Sequence, residues 1–501
     1  MESNLWVKCF SVVAFDEDVG PKVEFQIPAI MTEEQQQALG FLAFPDSNSF
    51  NIIGNLTYVF KMKHDHALFG YVYFRQQRDL TKPRKFFQKS LVLLSEHPYI
   101  SLFRQVIEIV GPLYFDHGES IFEAINSCLR SWGNIISGRT YELPMLGTVI
   151  IFTIPSTEQA IIPQLLGDGI TDILDSMNIG HPGLFQDINL CELVGMSFIK
   201  KHIWSFWEVL ICGEATLIVT DSPETCSILI LGLLSLISPL IYSGEFHPYF
   251  TIFGPEFRVI QNLYEKKKLT DMVIGATNPY ILKIFSDMDN VYQFEDRNGL
   301  QLVYTNANNN IIPPYKPVLS QLFESNTKEI LAINNTTIRR HFRELTISFL
   351  QPFQQYLSMD LTKVQESPFT PLSLKPFSEQ EFLSFVNNSK NVFPLMKYTT
   401  RPKALSLYSR FIKSKTFNKW FASQRQKANG ESDKVMRKAM YDFDVSKVFN
   451  MEKKERRVYY EKIKGRLMYE ERVGENFEGI NKLKHQLHLL GQNIAKLNDT
   501  V

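Results

Sequence analysis

The six residues FPDSNS at 44–49 place a carboxylate, Asp46, beside a hydroxyl, Ser47, behind an aromatic and a proline. An acid next to a serine has the raw materials for a base and a nucleophile. A nucleophilic serine also needs a base partner and an oxyanion hole, and Ser47 has neither a G-x-S-x-G elbow around it nor an assignable histidine. The same residues make good turns, because Asp and Ser side chains bond the backbone two residues on. They also suit a recognition loop on a rigid scaffold, in which Phe44, Asp46 and Asn48 meet a partner protein from a proline-stiffened turn.

The other reactive groups are sparse. HDH at 64–66 and the pair His485 and His488 each offer two imidazoles without an identifiable third ligand. Cys9, Cys128, Cys191, Cys212 and Cys226 lie far apart with no CxxC spacing, and read as reduced thiols of a cytosolic protein. No GxxxxGK[ST] occurs, and the glycine-bearing stretches LGDG and ICGEA lack the lysine that would reach phosphates. Neither a catalytic constellation, a metal nor a cofactor is expected.

The elements that position these residues belong to a chain of 501 residues, too long for one core. Its 53 Lys and Arg balance its 53 Asp and Glu, so no global field draws in nucleic acid, and none is expected as a partner. Residues 5–135 read as β-β-α-β-β-β-α-α, with a capping box at Thr32 and Gln35, which predicts an α/β sandwich. Residues 136–196 lose periodicity and read as a turn-rich, acidic linker with at most one strand, in LPMLGTVIIFTIPS. Buried strands alternate with helices over 197–320, with strands at YFTIF and DMVIGAT, which predicts an α/β lobe with a largely parallel sheet. Residues 300–319, with an asparagine run, read as a loop.

Helical spacing governs 326–425, and 430–501 is a charged helical extension. Its KKERR stretch, followed by Lys462, Lys464 and Arg466, offers a local basic surface compatible with peripheral membrane association. The charge-free run CSILILGLLSLISPLIY (226–242) is near the lower limit for a spanning segment, but the preceding DSPET is a soluble helix start and Pro239 interrupts it, so a buried helix is expected. The N-terminus MESNLWVKCF has no basic region followed by an apolar run, so neither a signal peptide nor a transmembrane segment is expected.

Seven separated segments, FPDSNS, FGYVYFRQQRD, FQKSLVLLSEHPY, FWEVLICGEATLIVTDSPE, SPLIYSGEFHPYFTIFGPEF, VIGATNPY and LYSRFIKSKTFNKWF, occur in an order that resembles the DENN-domain proteins, most of all their subfamily six. The resemblance covers about residues 5–425 and implies a longin-like N-terminal lobe, a central α/β lobe and a helical C-terminal part. It further implies guanine nucleotide exchange on a Rab GTPase of the endosomal recycling class, bound between the two lobes. The protein would then be cytoplasmic, with recruitment to recycling endosome membranes. An exchange factor makes no covalent bond, which fits a sequence without catalytic groups. Two alternatives keep the fold and change the function: a scaffold or effector without exchange, or a GTPase-activating protein with an arginine finger from Arg75, Arg78 or Arg84. The acidic linker, the NANNN loop and everything past 430 match no pattern of the family.

Overall fold

Two-residue alternation builds the first sheet. In β1 (Cys9–Asp16), Cys9 and Val13 point to one face and Phe10 and Val12 to the other, and all four are fully buried. The computed structural model describes residues 6–46, 54–64, 66–81, 85–155, 184–296, 299–307, 311–361, 369, 376–390, 393–474 and 476–496. These divide into two compact units, residues 1–349 with 392–418, and residues 350–391 with 419–501.

In the first unit β1 is followed by β2 (Gly20–Ile27), α1 (Glu33–Leu42), β3 (Gly54–Lys63), β4 (Ala67–Arg78), β5 (Phe86–Ser95), α2 (Ile100–His117) and α3 (Ile121–Arg130). This is the order that the sequence predicts. The strands form an antiparallel sheet in the order β2-β1-β5-β4-β3. Thr32 caps α1 as expected: its side chain accepts from the Gln35 backbone N–H, while the Gln35 side chain accepts from the Thr32 N–H. One face of the sheet packs on Leu39 and Ala43 at the end of α1, and on Tyr249 from far along the chain. The other takes α2, whose Gly111 sits so close to β4 that a Cβ there would lie 2.4 Å from the Tyr73 ring.

The stretch read as at most one strand is instead a hairpin, β6 (Thr140–Met145) and β7 (Thr148–Thr153). Its two turn residues, Leu146 and Gly147, have φ of 46° and 83°. Positive φ at both positions is the type I′ geometry that matches strand twist, and leucine is a rare occupant. Residues 156–183 of the predicted linker lie outside the described residues, and its end carries a short helix, Leu190–Leu193, capped by Asn189.

The central lobe runs through α4 (Ile203–Cys212), β8 (Thr216–Val219), α5 (Pro223–Leu234), β9 (Glu245–Phe250), α6 (Glu256–Glu265), β10 (Met272–Ala276), α7 (Tyr280–Ile284), β11 (Val291–Asp296) and β12 (Leu300–Thr305). The sheet order is β12-β11-β8-β10-β9, parallel except at β12. The fold class is therefore α/β, as expected. Two local readings change. β9 begins at Glu245, earlier than YFTIF suggests, because its register with β10 runs from Glu245 opposite Met272. Leu300–Thr305, expected to be loop, is an antiparallel edge strand beside β11.

In α5, Ser222 accepts from the Glu224 N–H, Pro223 occupies the first turn, and every residue from Cys226 to Leu234 is buried. The charge-free run is thus a core helix only as far as Leu234; a 3₁₀ turn at Ser235–Ile237 and non-helical chain carry it on to Tyr242, so the helix is shorter than expected. Among the described residues no helix is long and apolar enough to cross a membrane.

The helical part comprises α8 (Lys328–Leu361), α9 (Glu379–Asn388), α10 (Arg401–Phe411), α11 (Lys415–Tyr441), α12 (Lys453–Val473) and α13 (Phe477–Lys496). In the first unit, Ile338, Phe342, Leu345 and Phe349 of α8 are buried at the predicted helical spacing, and Phe349 stacks on Tyr408 of α10 at 4.8 Å. The second unit has its own core of Met436, Met440, Ile463, Leu467, Ile480, Leu483 and Leu490. Gln486 secures it by donating to the carbonyls of Met440, Tyr441 and Phe443 at 2.9, 3.2 and 3.1 Å. Residue 430 falls inside α11, so no element boundary exists there.

Candidate functional site

Residues Phe44, Pro45 and Asp46 follow α1 and run to the carboxyl ends of two parallel strands of the central lobe. Phe44 is not a projecting aromatic: it is 8% exposed, with its ring in the sheet core 5.6 Å from Phe74 and 6.0 Å from Phe15. Its carbonyl accepts from the Tyr249 hydroxyl at 3.0 Å, and that hydroxyl in turn accepts from the Asp46 N–H at 2.5 Å. Tyr249 stands in β9, so a side chain of the central lobe is threaded into the first sheet's core.

The Asp46 carboxylate is occupied by the central lobe. One oxygen accepts from the Thr251 hydroxyl at 2.9 Å and the Ile252 N–H at 3.2 Å; the other accepts from Asn278 Nδ2 at 3.1 Å. The Asp46 carbonyl accepts from the Thr277 hydroxyl at 3.3 Å. Burial pushes the Asp46 carboxyl above its ordinary range, against the three donors that favour the ion. Thr251 and Ile252 follow β9, and Thr277 and Asn278 follow β10, so the turn is knotted to the end of the sheet where open α/β folds commonly bind ligands. Of the remaining predicted residues, Ser47 and Asn48 lie outside the described residues. The structure thus brings Phe44 and Asp46 together as a joint between lobes.

Edge strand β3 makes a second seam. The Val59 N–H donates to Ser227 Oγ of α5 at 3.2 Å, so a side chain takes up one of the edge donors. Lys61 pairs with Glu245 at 3.1 Å and lies 4.3 Å over the Phe246 ring. Burial alone would raise Glu245, but the Lys61 ammonium pulls it below its ordinary value. Arg104 of α2 reaches Glu224 of α5 at 2.8 Å. His247 Nδ1 stands 3.2 Å from Glu256, and because burial holds this imidazole neutral the contact is a hydrogen bond rather than an ion pair.

Between α1 and the β9–α6 turn lies a pocket of about 220 Å³ whose lining includes Gln35, Leu42, Met62, His247, Thr251 and Glu256. Beside its Gly254 wall, Phe253 is 59% exposed and stacks on Phe41 at 6.0 Å. On the other strand-end loop Tyr280, two residues past Asn278, is 54% exposed. Sequence reasoning missed both aromatics. The available signal was an aromatic directly after a buried parallel strand and before a Gly-Pro helix start, in TIFGPEF.

The other candidates are accounted for locally. Arg75 donates to Asn55 at 2.9 Å and lies 4.2 Å over the Phe115 ring, so it is stacked along the sheet; Arg84 lies outside the described residues. Burial pushes the Cys9 and Cys226 thiols up to about 12, which keeps them unreactive. Among the described residues no group of three His, Cys, Asp or Glu is arranged to hold a metal ion.

A family model described as transport protein Avl9 matches residues 7–246, the span that contains the first sheet and the helix α5 docked on it. Similar proteins include the DENND6 homolog of Dictyostelium discoideum, 28% identical over 88% of this chain and 73% of that protein. DENND6A of Gallus gallus is 28% identical over 84% of this chain and 80% of its own, and DENND6B of Homo sapiens is 27% identical over 85% and 80%. These matches support a DENN-domain protein of the subfamily-six kind. The family model covers Asp46 and Glu245 and ends before Thr251, Phe253 and Asn278.

Proposed function

We propose that this chain is a guanine nucleotide exchange factor for a Rab GTPase, acting in endosomal membrane traffic and recruited from the cytoplasm to recycling endosomes. The observation that carries the reading is a lobe junction that combines a pocket of about 220 Å³ with the exposed Phe253 beside it, and with an exposed Tyr280 two residues past the Asn278 that bonds Asp46. Exposed aromatics beside a pocket are how protein interfaces concentrate binding energy. The GTPase would dock there, with Phe253 and Tyr280 making contact and with Phe44 and Asp46 acting from behind by fixing the two walls. Exchange is differential binding: the factor must hold the nucleotide-free GTPase more tightly than the loaded one. A thousandfold acceleration requires about 4 kcal/mol of such difference, within reach of a few aromatic and polar contacts.

Release of a fluorescent GDP analogue from a panel of purified Rab GTPases tests the reading. Acceleration of at least one member by the full chain is expected. Binding to a GTP-loaded Rab without accelerated release would replace it with the effector reading, and faster GTP hydrolysis with the activating-protein reading.

A further inference from the structure

Helix α12 buries one side and leaves the other unpartnered among the described residues. Ile463, Leu467 and Glu470 face inward, in one core with Ile480, Leu483 and Leu490 of α13. Two of its basic residues are consumed by the fold: Arg456 bonds the Met451 carbonyl and Asn493, and Arg466 pairs with Glu470 at 2.8 Å. Lys453, Lys454, Arg457, Lys462 and Lys464 make no ion pair among the described residues. Their positions, at 100° per residue, place them on or beside the outward face. That face carries one carboxylate, Glu461; Glu455 is turned back onto the Glu452 N–H, and Glu471 is paired with Lys484. The same face exposes large apolar side chains, Val458 at 50%, Met468 at 64% and Tyr469 at 49%.

A basic helix face with apolar side chains set among its lysines has the chemistry of the lipid–water interface. The ammonium groups meet anionic headgroups while the apolar groups enter the acyl boundary. We propose that the outward face of α12 is a docking surface for anionic bilayers. The five cations spread over about 17 Å of helix, a span that a surface of many separate negative charges matches. The exposed Val458, Met468 and Tyr469 favour a bilayer over an acidic protein or nucleic acid, which would supply the charge but no hydrocarbon.

Flotation of the full chain with vesicles tests this without any GTPase, so its failure and that of the exchange reading are separable. Binding to vesicles containing phosphatidylserine is expected to exceed binding to phosphatidylcholine vesicles and to weaken with salt. At about 1 kcal/mol per base near the surface, each of K454Q, R457Q and K462Q should reduce partitioning about fivefold. V458S with M468S should weaken vesicle binding while leaving binding to soluble heparin unchanged. At least half of the Val458 and Met468 surface is exposed, and the three bases make no ion pair among the described residues, so melting temperatures should stay close to the wild-type value. Equal binding to both vesicle types, wild-type partitioning by the charge variants, or retention on heparin with no vesicle binding would each overturn the proposal.

Discussion

Replacing Asp46 with alanine separates the two roles that its turn could play. The substitution strips the acceptor from the Thr251 hydroxyl, the Ile252 N–H and Asn278 Nδ2. Hydrogen bonds to a charged group contribute about 1.5–3 kcal/mol each, and a buried donor left unpaired costs about 1–3. Thr251 is almost fully buried, so its hydroxyl bears the full cost, whereas Asn278 is only half-buried and regains water. Releasing a carboxylate that burial already disfavours as an ion returns part of the loss. A net destabilisation of about 2–3 kcal/mol follows. Asp46→Asn should recover only part, because every group facing the carboxylate is a donor and the new amide presents donors of its own. Denaturant unfolding followed by tryptophan fluorescence measures the stability, and GDP release per folded molecule measures the function. A positioning role predicts lower stability with exchange retained at temperatures where the lobes remain joined. If D46A matches wild type within about 0.5 kcal/mol, the size of an ordinary surface substitution, the knot does not join the lobes. If stability is unchanged and exchange collapses, Asp46 itself meets the GTPase.

Phe253→Ala and Tyr280→Ala should leave the melting temperature near wild type, since both rings are largely exposed, and should lower exchange by tenfold or more if these aromatics become the buried centre of the interface; wild-type exchange in both would move the docking surface elsewhere. Gly70→Ala places a Cβ 2.1 Å from the Phe60 ring, its cross-strand partner, and should cost about 1–3 kcal/mol of stability, partly recovered by Phe60→Leu in a thermal melt. His341 accepts from Trp204 Nε1 at 2.9 Å and is held neutral by burial, with a pKa of about 4. The unfolded state therefore binds the extra proton between about pH 6.5 and 4, so stability falls as pH drops through that window, by about 2 kcal/mol from this group at pH 5; His341→Gln should flatten the pH dependence by that amount in denaturant titrations.

The parts of the fold that could be read from the sequence are those whose signal is local. Alternation in β1, β4 and β5, the Thr32 capping box and the Ser222–Pro223 helix start act within a few residues, and each appears where its residues place it. The hairpin at 140–153 was hidden because Leu146 takes a positive φ that its type disfavours. The edge strand at 300–305 was hidden because its pairing with β11 follows Gly299, at φ 110°, while the asparagines beyond it suggested a loop. Local patterns report what a segment prefers. They carry nothing about which distant segment satisfies it.

The turn at 44–46 is the clearest instance. A structural joint and a recognition loop draw on the same residues, because both need a chain reversal stiffened by proline and an acceptor with nothing to bond nearby. What separates them is the fate of the acceptor, and for Asp46 that was decided more than 200 residues away, by Thr251, Ile252 and Asn278. Those partners share one property that the sequence does expose: each lies within two residues of the end of a buried parallel strand, where polar groups emerge from the sheet. An unpaired carboxylate in one lobe and a row of donors at strand ends in the next are complementary needs. Burying both together satisfies the acid and fixes the strand-end loops that carry Phe253 and Tyr280, so under the proposed function a residue behind the docking wall would determine whether that wall is formed.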